Sequence, residues 1–210
     1  MKQSLKPGIY LIIDPQMEQD LLLERLREAC KQPITALQIW DHFKQNVDPG
    51  LLINKVLEAL KHQNIPIIIN NRWELLKDYP LHGVHFDQLP TDMQGIRQAI
   101  SRPFISGLTC QNDLEIIRQA EREGMHYISF CSMFPSPTAN SCERVDFQSV
   151  KAAAKLFSGQ LFLAGGIRPD DLHTLNALPY DGIAIISGIM GSTQPANRIQ
   201  EYLKNMPLNL

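Results

Sequence analysis

Residues 161–189 read Leu-Phe-Leu-Ala-Gly-Gly-Ile-Arg-Pro-Asp-Asp-Leu-His-Thr-Leu-Asn-Ala-Leu-Pro-Tyr-Asp-Gly-Ile-Ala-Ile-Ile-Ser-Gly-Ile. Two strand-sized apolar runs, Leu161–Ala164 and Gly182–Ile186, each end in a glycine-bearing turn. A helical segment, Pro169–Ala177, lies between them, and a second, Gly188–Lys204, follows. Strand, helix, strand with no hairpin turn is the pattern of parallel neighbours, because parallel strands need a crossover, usually a helix, to return the chain to the same edge. Runs such as Pro66-Ile-Ile-Ile69 and Gly182-Ile-Ala-Ile-Ile186 are apolar on both sides, which suits strands covered on both faces.

The same unit recurs upstream. Ile9–Ile13 precedes the amphipathic stretch Glu18–Lys31, and Thr35–Ile39 precedes Leu51–His62. Ile65–Ile69 precedes Arg72–Lys77, Gly83–Phe86 precedes Thr91–Ile100, and Phe104–Leu108 precedes Asn112–Glu123. Tyr127–Phe130 opens onto a long polar loop before Phe147–Phe157. Eight strand–helix units in 210 residues predict an α/β fold, a single (β/α)8 barrel occupying 1–210. An open doubly wound sheet is the competing closure, and the lack of a G-x-G-x-x-G after the first strand argues against its dinucleotide-binding form.

Composition narrows the function classes. Apolar residues make up 44% and charged residues 20%, with a net charge of −2, so no global field draws the chain to nucleic acid or to an anionic membrane. The apolar runs are too short to span a bilayer, and Met1–Gly8 lacks the apolar region of a secretory signal, so the expected address is cytoplasmic. The four cysteines, Cys30, Cys110, Cys131 and Cys142, form no C-x-x-C pair and read as reduced thiols. A homo-oligomer is left open by the sequence.

In a parallel barrel the working groups sit at the C-terminal ends of the strands. There, Leu-Ala-Gly-Gly-Ile (163–167) and Ile-Ser-Gly-Ile (186–189) form two glycine turns where barrels commonly hold phosphate on backbone N–H groups. Gly165, Gly166, Ser187 and Gly188 are therefore the expected phosphate-binding residues, the alternative being glycines that serve tight turns alone. The loop Ser132–Ser141 is long and stiffened by prolines, and Ser136 and Thr138 offer hydroxyls to a phosphate or pyrophosphate. His42 and His85 follow or lie in strands and are the candidate acid/base groups, with a structural role the alternative for His85.

Taken in order, Gly8-Ile-Tyr-Leu-Ile-Ile-Asp14, Ile69-Asn-Asn-Arg72, Gly83-Val-His85, Phe134-Pro-Ser-Pro-Thr138, Ala164-Gly-Gly-Ile167 and Ile186-Ser-Gly-Ile189 resemble thiamin-phosphate synthase and its TenI relatives over roughly residues 8–200. The resemblance implies a (β/α)8 TIM barrel in thiamin biosynthesis, a transferase that joins hydroxymethylpyrimidine pyrophosphate to a thiazole phosphate and releases pyrophosphate. It implies a small phosphorylated substrate, thiazole phosphate or thiamin phosphate, and Mg2+. It places Gln38, Asn70, Arg72, Thr109, Ser136 and Thr138 on substrate and pyrophosphate, and Gly165, Gly166 and Ser187 on the thiazole phosphate.

The chain departs from that pattern on one side of the site. Trp40 and His42 stand where the family has an arginine and a lysine. The usual magnesium-carboxylate positions are Asn71 and Pro90, leaving Asp87 and Asp92 as the nearby carboxylates, and Ala139 replaces a lysine. The TenI tautomerase histidine aligns with Gln111. A TenI-like enzyme on a thiazole phosphate and a non-catalytic binder of a thiamin precursor are the alternatives to the synthase reaction.

Overall fold

The computed structural model describes residues 4–135 and 143–207. Eight strands, β1 (Gly8–Ile13), β2 (Ala36–Ile39), β3 (Ile67–Asn70), β4 (Gly83–Phe86), β5 (Ile105–Cys110), β6 (Tyr127–Phe130), β7 (Gln160–Ala164) and β8 (Gly182–Ile185), pair in chain order as parallel neighbours. The eighth returns to the first, with Gly8 opposite Gly182, and closes the barrel. The expected (β/α)8 architecture is therefore the one observed.

Helices α1 (Gln19–Ala29), α2 (Pro49–Leu60), α3 (Met93–Ile100), α4 (Leu114–Arg122) and α5 (Phe147–Leu156) are each begun by a carboxylate. Glu18, Asp48, Asp92, Asp113 and Asp146 accept first-turn backbone N–H groups at 2.7–2.9 Å. Such caps satisfy orphan donors and set a negative charge at the positive helix end.

Three expected helices differ. Arg72–Lys77 forms only a 3-10 turn, Trp73–Leu76. Pro169–Ala177 divides into a 3-10 turn at Pro169–Asp171 and the four-residue α6 (Leu172–Leu175). Gly188–Lys204 divides into α7 (Ser187–Met190) and α8 (Pro195–Asn205). The last break has a plain cause: Pro195 has no N–H to donate backwards and fits the first turn of a helix, so the chain restarts there. Among the described residues no helix is long and apolar enough to cross a membrane.

The strands sort their side chains by alternation. Ile9, Leu11 and Ile13 face outward into the layer shared with the helices, together with residues such as Leu22, Leu26, Ile53, Val56 and Ile199. Tyr10, Ala36, Ile68, Ile105, Tyr127, Phe162 and Ala184 face inward and form a second apolar cluster inside the barrel. Tyr10, Tyr127 and Phe162 meet there as a triangle of rings, with centroids 5.5–5.6 Å apart at tilted and edge-on angles. They fit because small residues face them. A Cβ on Gly107 would lie 2.0 Å from Cζ of Tyr127, and one on Gly182 would lie 2.6 Å from Cε1 of Phe162.

Gly107→Ala therefore overpacks the barrel interior. It is expected to lower unfolding stability by about 2–3 kcal/mol, read as a shift of the urea midpoint. Adding Tyr127→Leu is expected to recover part of the loss, because the two sites share one volume. An unchanged midpoint in Gly107→Ala would show that the ring is not held against the β5 backbone.

Candidate functional site

Above the ring triangle the barrel opens into a cavity of about 720 Å³ at the C-terminal ends of the strands. Its floor is polar where the rings end. The Tyr10 hydroxyl donates to Oε1 of Gln38 at 2.8 Å and lies 2.7 Å from the hydroxyl of Tyr127. Tyr127 Oη lies 3.0 Å from Nδ1 of His85, and Nε2 of His85 lies 2.9 Å from Oγ1 of Thr109. Gln38, His85, Tyr10 and Tyr127 are buried, whereas Thr109 is partly exposed to the cavity. Burial holds the His85 imidazole down to about 4, with the charge of Asp87 a smaller, opposing influence. Burial likewise raises both tyrosine hydroxyls above their ordinary range. The floor therefore works in its neutral forms.

One wall is built of backbone. Gly165 and Gly166 have φ of +85° and +68°, a left-handed conformation that costs any residue with a Cβ. Space forbids a side chain as well: a Cβ on Gly166 would lie 2.4 Å from the carbonyl oxygen of Pro135. The turn is stitched to the start of the β6 loop, where Met133 and Phe134 donate their N–H groups to the carbonyls of Ala164 and Gly165 at 2.9 and 3.0 Å. Beside it, after the neighbouring strand β8, stands Ser187-Gly188 at the start of α7. The Tyr202 hydroxyl of α8 reaches under it and donates to the carbonyl of Ile167 at 2.9 Å. Arg168 and Arg198 line the same wall.

The facing wall carries carboxylates whose neighbours already occupy them. Oδ1 of Asp87 accepts from Asn70 Nδ2 at 3.0 Å, and Oδ2 accepts from Asn71 Nδ2 at 2.8 Å. Oδ1 of Asn71 accepts the Asp87 backbone N–H in return. Arg72 is held by Glu74 at 2.8 Å and by Asp41 at 3.6 Å, and these carboxylates keep its guanidinium charged. His42 pairs through Nδ1 with Oδ1 of Asp14 at 3.0 Å and packs on the Trp40 ring.

Nine of the expected site residues line this one cavity: Gln38, Asn70, His85, Asp87, Thr109, Gly165, Gly166, Ser187 and Gly188. His42 and Arg72 sit beside it without lining it. Asp92 caps α3, accepting from Gly95 at 2.7 Å. Ser136 and Thr138 lie outside the described residues. Sequence reasoning missed Tyr10, Tyr127, Arg168 and Arg198. The first two stand at alternate, inward positions of their strands, a signal that was present in the period-two pattern. Arg168 follows the glycine turn by one residue, and the place of Arg198 depends on the break before α8, which Gly191-Ser-Thr-Gln-Pro195 marks in the sequence.

The described residues do not fit magnesium. Both Asp87 oxygens are taken up by carboxamides, Asp92 faces its own helix, and no group of three or more His, Cys, Asp or Glu side chains is placed to hold a metal among the described residues.

A sequence model of the thiamine monophosphate synthase family matches residues 9–189. The chain is 26% identical over 201 residues to the thiamine-phosphate synthase of Methanobrevibacter smithii, covering 96% of each protein. It is 26% identical over 204 residues to that of Clostridioides difficile, covering 96% of this chain and 97% of the relative. Among solved structures, a thiamine phosphate pyrophosphorylase from Pyrococcus furiosus superposes with a TM-score of 0.78 at 20% identity, over 96% of this chain and 95% of the other. The tryptophan synthase α-subunit of the same organism superposes at 0.76 with 10% identity, over 96% of this chain and 99% of that one, a likeness of fold alone.

The buried histidine predicts a pH dependence. Its ring stays neutral in the folded chain down to about 4 but takes up a proton near its ordinary 6.5 when unfolded. Its contribution is therefore complete above about 6.5 and is lost as pH falls from there towards 4. Urea midpoints at pH 7.5 and pH 5 are expected to differ more in the native protein than in His85→Asn. Equal differences would mean that the ring is protonated in the fold.

Proposed function

The chain belongs to the thiamine monophosphate synthase family, and from that premise we propose that it is a divergent thiamin-phosphate synthase. In this reading it joins hydroxymethylpyrimidine pyrophosphate to thiazole phosphate and releases pyrophosphate. The observation that carries the reading is the backbone wall of the cavity. Two left-handed glycines after β7 lie beside Ser187-Gly188 after the neighbouring strand β8, with Arg168 and Arg198 lining the same cavity, which suits the phosphate of a thiazole phosphate or of thiamin phosphate.

The reaction asks little covalent chemistry of the protein. The thiazole nitrogen supplies the electron pair of the new C–N bond, and the electrons of the breaking C–O bond leave with pyrophosphate. What the protein supplies is placement, and a phosphate gripped at one wall fixes the position of the ring it bears. Gln38, Asn70 and Thr109 lie where they meet the partner ring at the cavity floor. The departing pyrophosphate is received by cations; Arg168 and Arg198 line the cavity, Arg198 pairing with Glu201 and Arg72 with Glu74 and Asp41.

That wall, carboxylate-rich and with Arg72 already engaged, favours a second reading, a TenI-like enzyme acting on a thiazole phosphate or a binder of a thiamin precursor. Both need the phosphate grip, and neither needs the pyrophosphate side. Among residues that remain for acid/base work, His85 lines the cavity, and His42 stands beside it with Asp14.

The readings part in one assay. Incubation with both substrates, with and without magnesium, is expected to yield thiamin phosphate by chromatography. If none forms while calorimetry shows binding of thiazole phosphate, the second reading replaces the first. Gly166→Ala, which forces a Cβ against the Pro135 carbonyl, is expected to weaken thiazole phosphate binding by about tenfold or more, the effect of ~1.4 kcal/mol. Unaltered affinity in that variant would place the phosphate elsewhere.

A further inference from the structure

The floor of the cavity carries a hydrogen-bond direction that can be worked out from its ends. The Oε1 of Gln38 only accepts, so the Tyr10 hydroxyl spends its one proton on it. The 2.7 Å contact between the two tyrosine hydroxyls then has a single donor left, Tyr127. With its proton given to Tyr10, Tyr127 offers His85 only a lone pair, so Nδ1 of His85 must carry the hydrogen at that 3.0 Å contact. A buried ring whose two nitrogens face only neutral hydroxyls has no counter-charge in contact, which disfavours a second proton on it. Nε2 is therefore bare, and the Thr109 hydroxyl donates to it at 2.9 Å.

We propose that this chain of five residues, Gln38, Tyr10, Tyr127, His85 and Thr109, fixes the polarity of the cavity floor so that Thr109 presents lone pairs and no proton to a bound ligand. Thr109 is then a specificity-determining residue that selects a ligand with a hydrogen-bond donor at that point, such as an exocyclic amine on a heteroaromatic ring. Tyr10, Tyr127 and His85 are positioning residues that act through it. The inference rests on the reading of the cavity as the ligand site, and it deepens that reading by naming the chemistry of the group that faces the floor. A ligand with only an acceptor at that point meets the Thr109 lone pairs and leaves its own polar atom unpaired, a mismatch that costs about one decade of affinity.

The direction of the chain makes one substitution informative. Tyr127→Phe keeps the ring that fills the barrel but removes the acceptor for Nδ1. The proton is then expected to move to Nε2, which donates to Thr109, and the Thr109 hydroxyl turns its own proton towards the cavity. Two measurements test this. Nitrogen-15 spectra of the ligand-free protein report which ring nitrogen of His85 is protonated: Nδ1 is expected in the native chain and Nε2 in Tyr127→Phe. Titrations with 4-aminopyrimidine and 4-methoxypyrimidine are expected to favour the amine by about tenfold in the native chain and to lose or reverse that preference in Tyr127→Phe.

A native His85 protonated on Nε2 overturns the proposal whatever the ligands do, and needs no variant to fold. So does a native preference for the methoxy probe, or an amine preference that survives unchanged in Tyr127→Phe. If neither pyrimidine binds while the native spectrum shows Nδ1–H, the floor polarity stands and the reading of the cavity as a heteroaromatic site fails.

Discussion

The packing of Tyr10, Tyr127 and Phe162 inside the barrel decides where the core stops and the cavity starts. Eight parallel strands enclose a space that must be filled to native density, and three large rings fill most of it. Bare backbone at Gly107 and Gly182 gives two of them room. The same rings carry the first polar atoms of the floor. Two tyrosine hydroxyls buried among apolar neighbours need partners, and they find each other, Gln38 and His85. The floor chemistry is thus a by-product of how the barrel is plugged: changing the plug changes which polar groups meet the ligand.

Much of this was legible in the residue pattern. The alternation of short apolar runs with amphipathic segments specifies a parallel closed sheet, and the strand ends locate the cavity. The two glycine turns announce a backbone wall, and Gln38, Asn70, His85 and Thr109 all reach the same space. What stayed hidden depends on distance in three dimensions. That Asp87 is taken up by Asn70 and Asn71 requires the ends of β3 and β4 to be adjacent. That Arg72 is spent on Glu74 and Asp41 is a matter of rotamers, which no spacing reveals. The restart at Pro195 was in fact marked by Gly191-Ser-Thr-Gln-Pro195, a polar stretch without leucine or isoleucine that ends in a proline, whereas apolar spacing does not distinguish the short 3-10 turns from α-helix.

The mouth is electrically lopsided. Arg168 and Arg198, the latter paired with Glu201, stand with the glycine turns, while Asp14, Asp41, Glu74 and Asp87 lie towards the ends of β1 to β4, with Arg72 and His42 engaged among them. A ligand with its negative charge at one end and a neutral or cationic ring at the other matches this distribution. Burial raises Asp41 from its ordinary value even with Arg72 beside it.

The hydroxyl of Tyr202, bound to the carbonyl of Ile167 and packed beneath Gly188, gives the glycine wall a particular kind of durability. Because Tyr202 of α8 contacts both turns and the turn after β7 is joined to the β6 loop through main-chain hydrogen bonds, their shape is specified by backbone and by one buried aromatic. The opposite rim is made of side-chain tips, each of which a single nucleotide change can replace without disturbing the fold. Divergence within a lineage can therefore erase one half of such a mouth while the other stays in place. Sequence distance alone is a poor guide to which half a given descendant still uses.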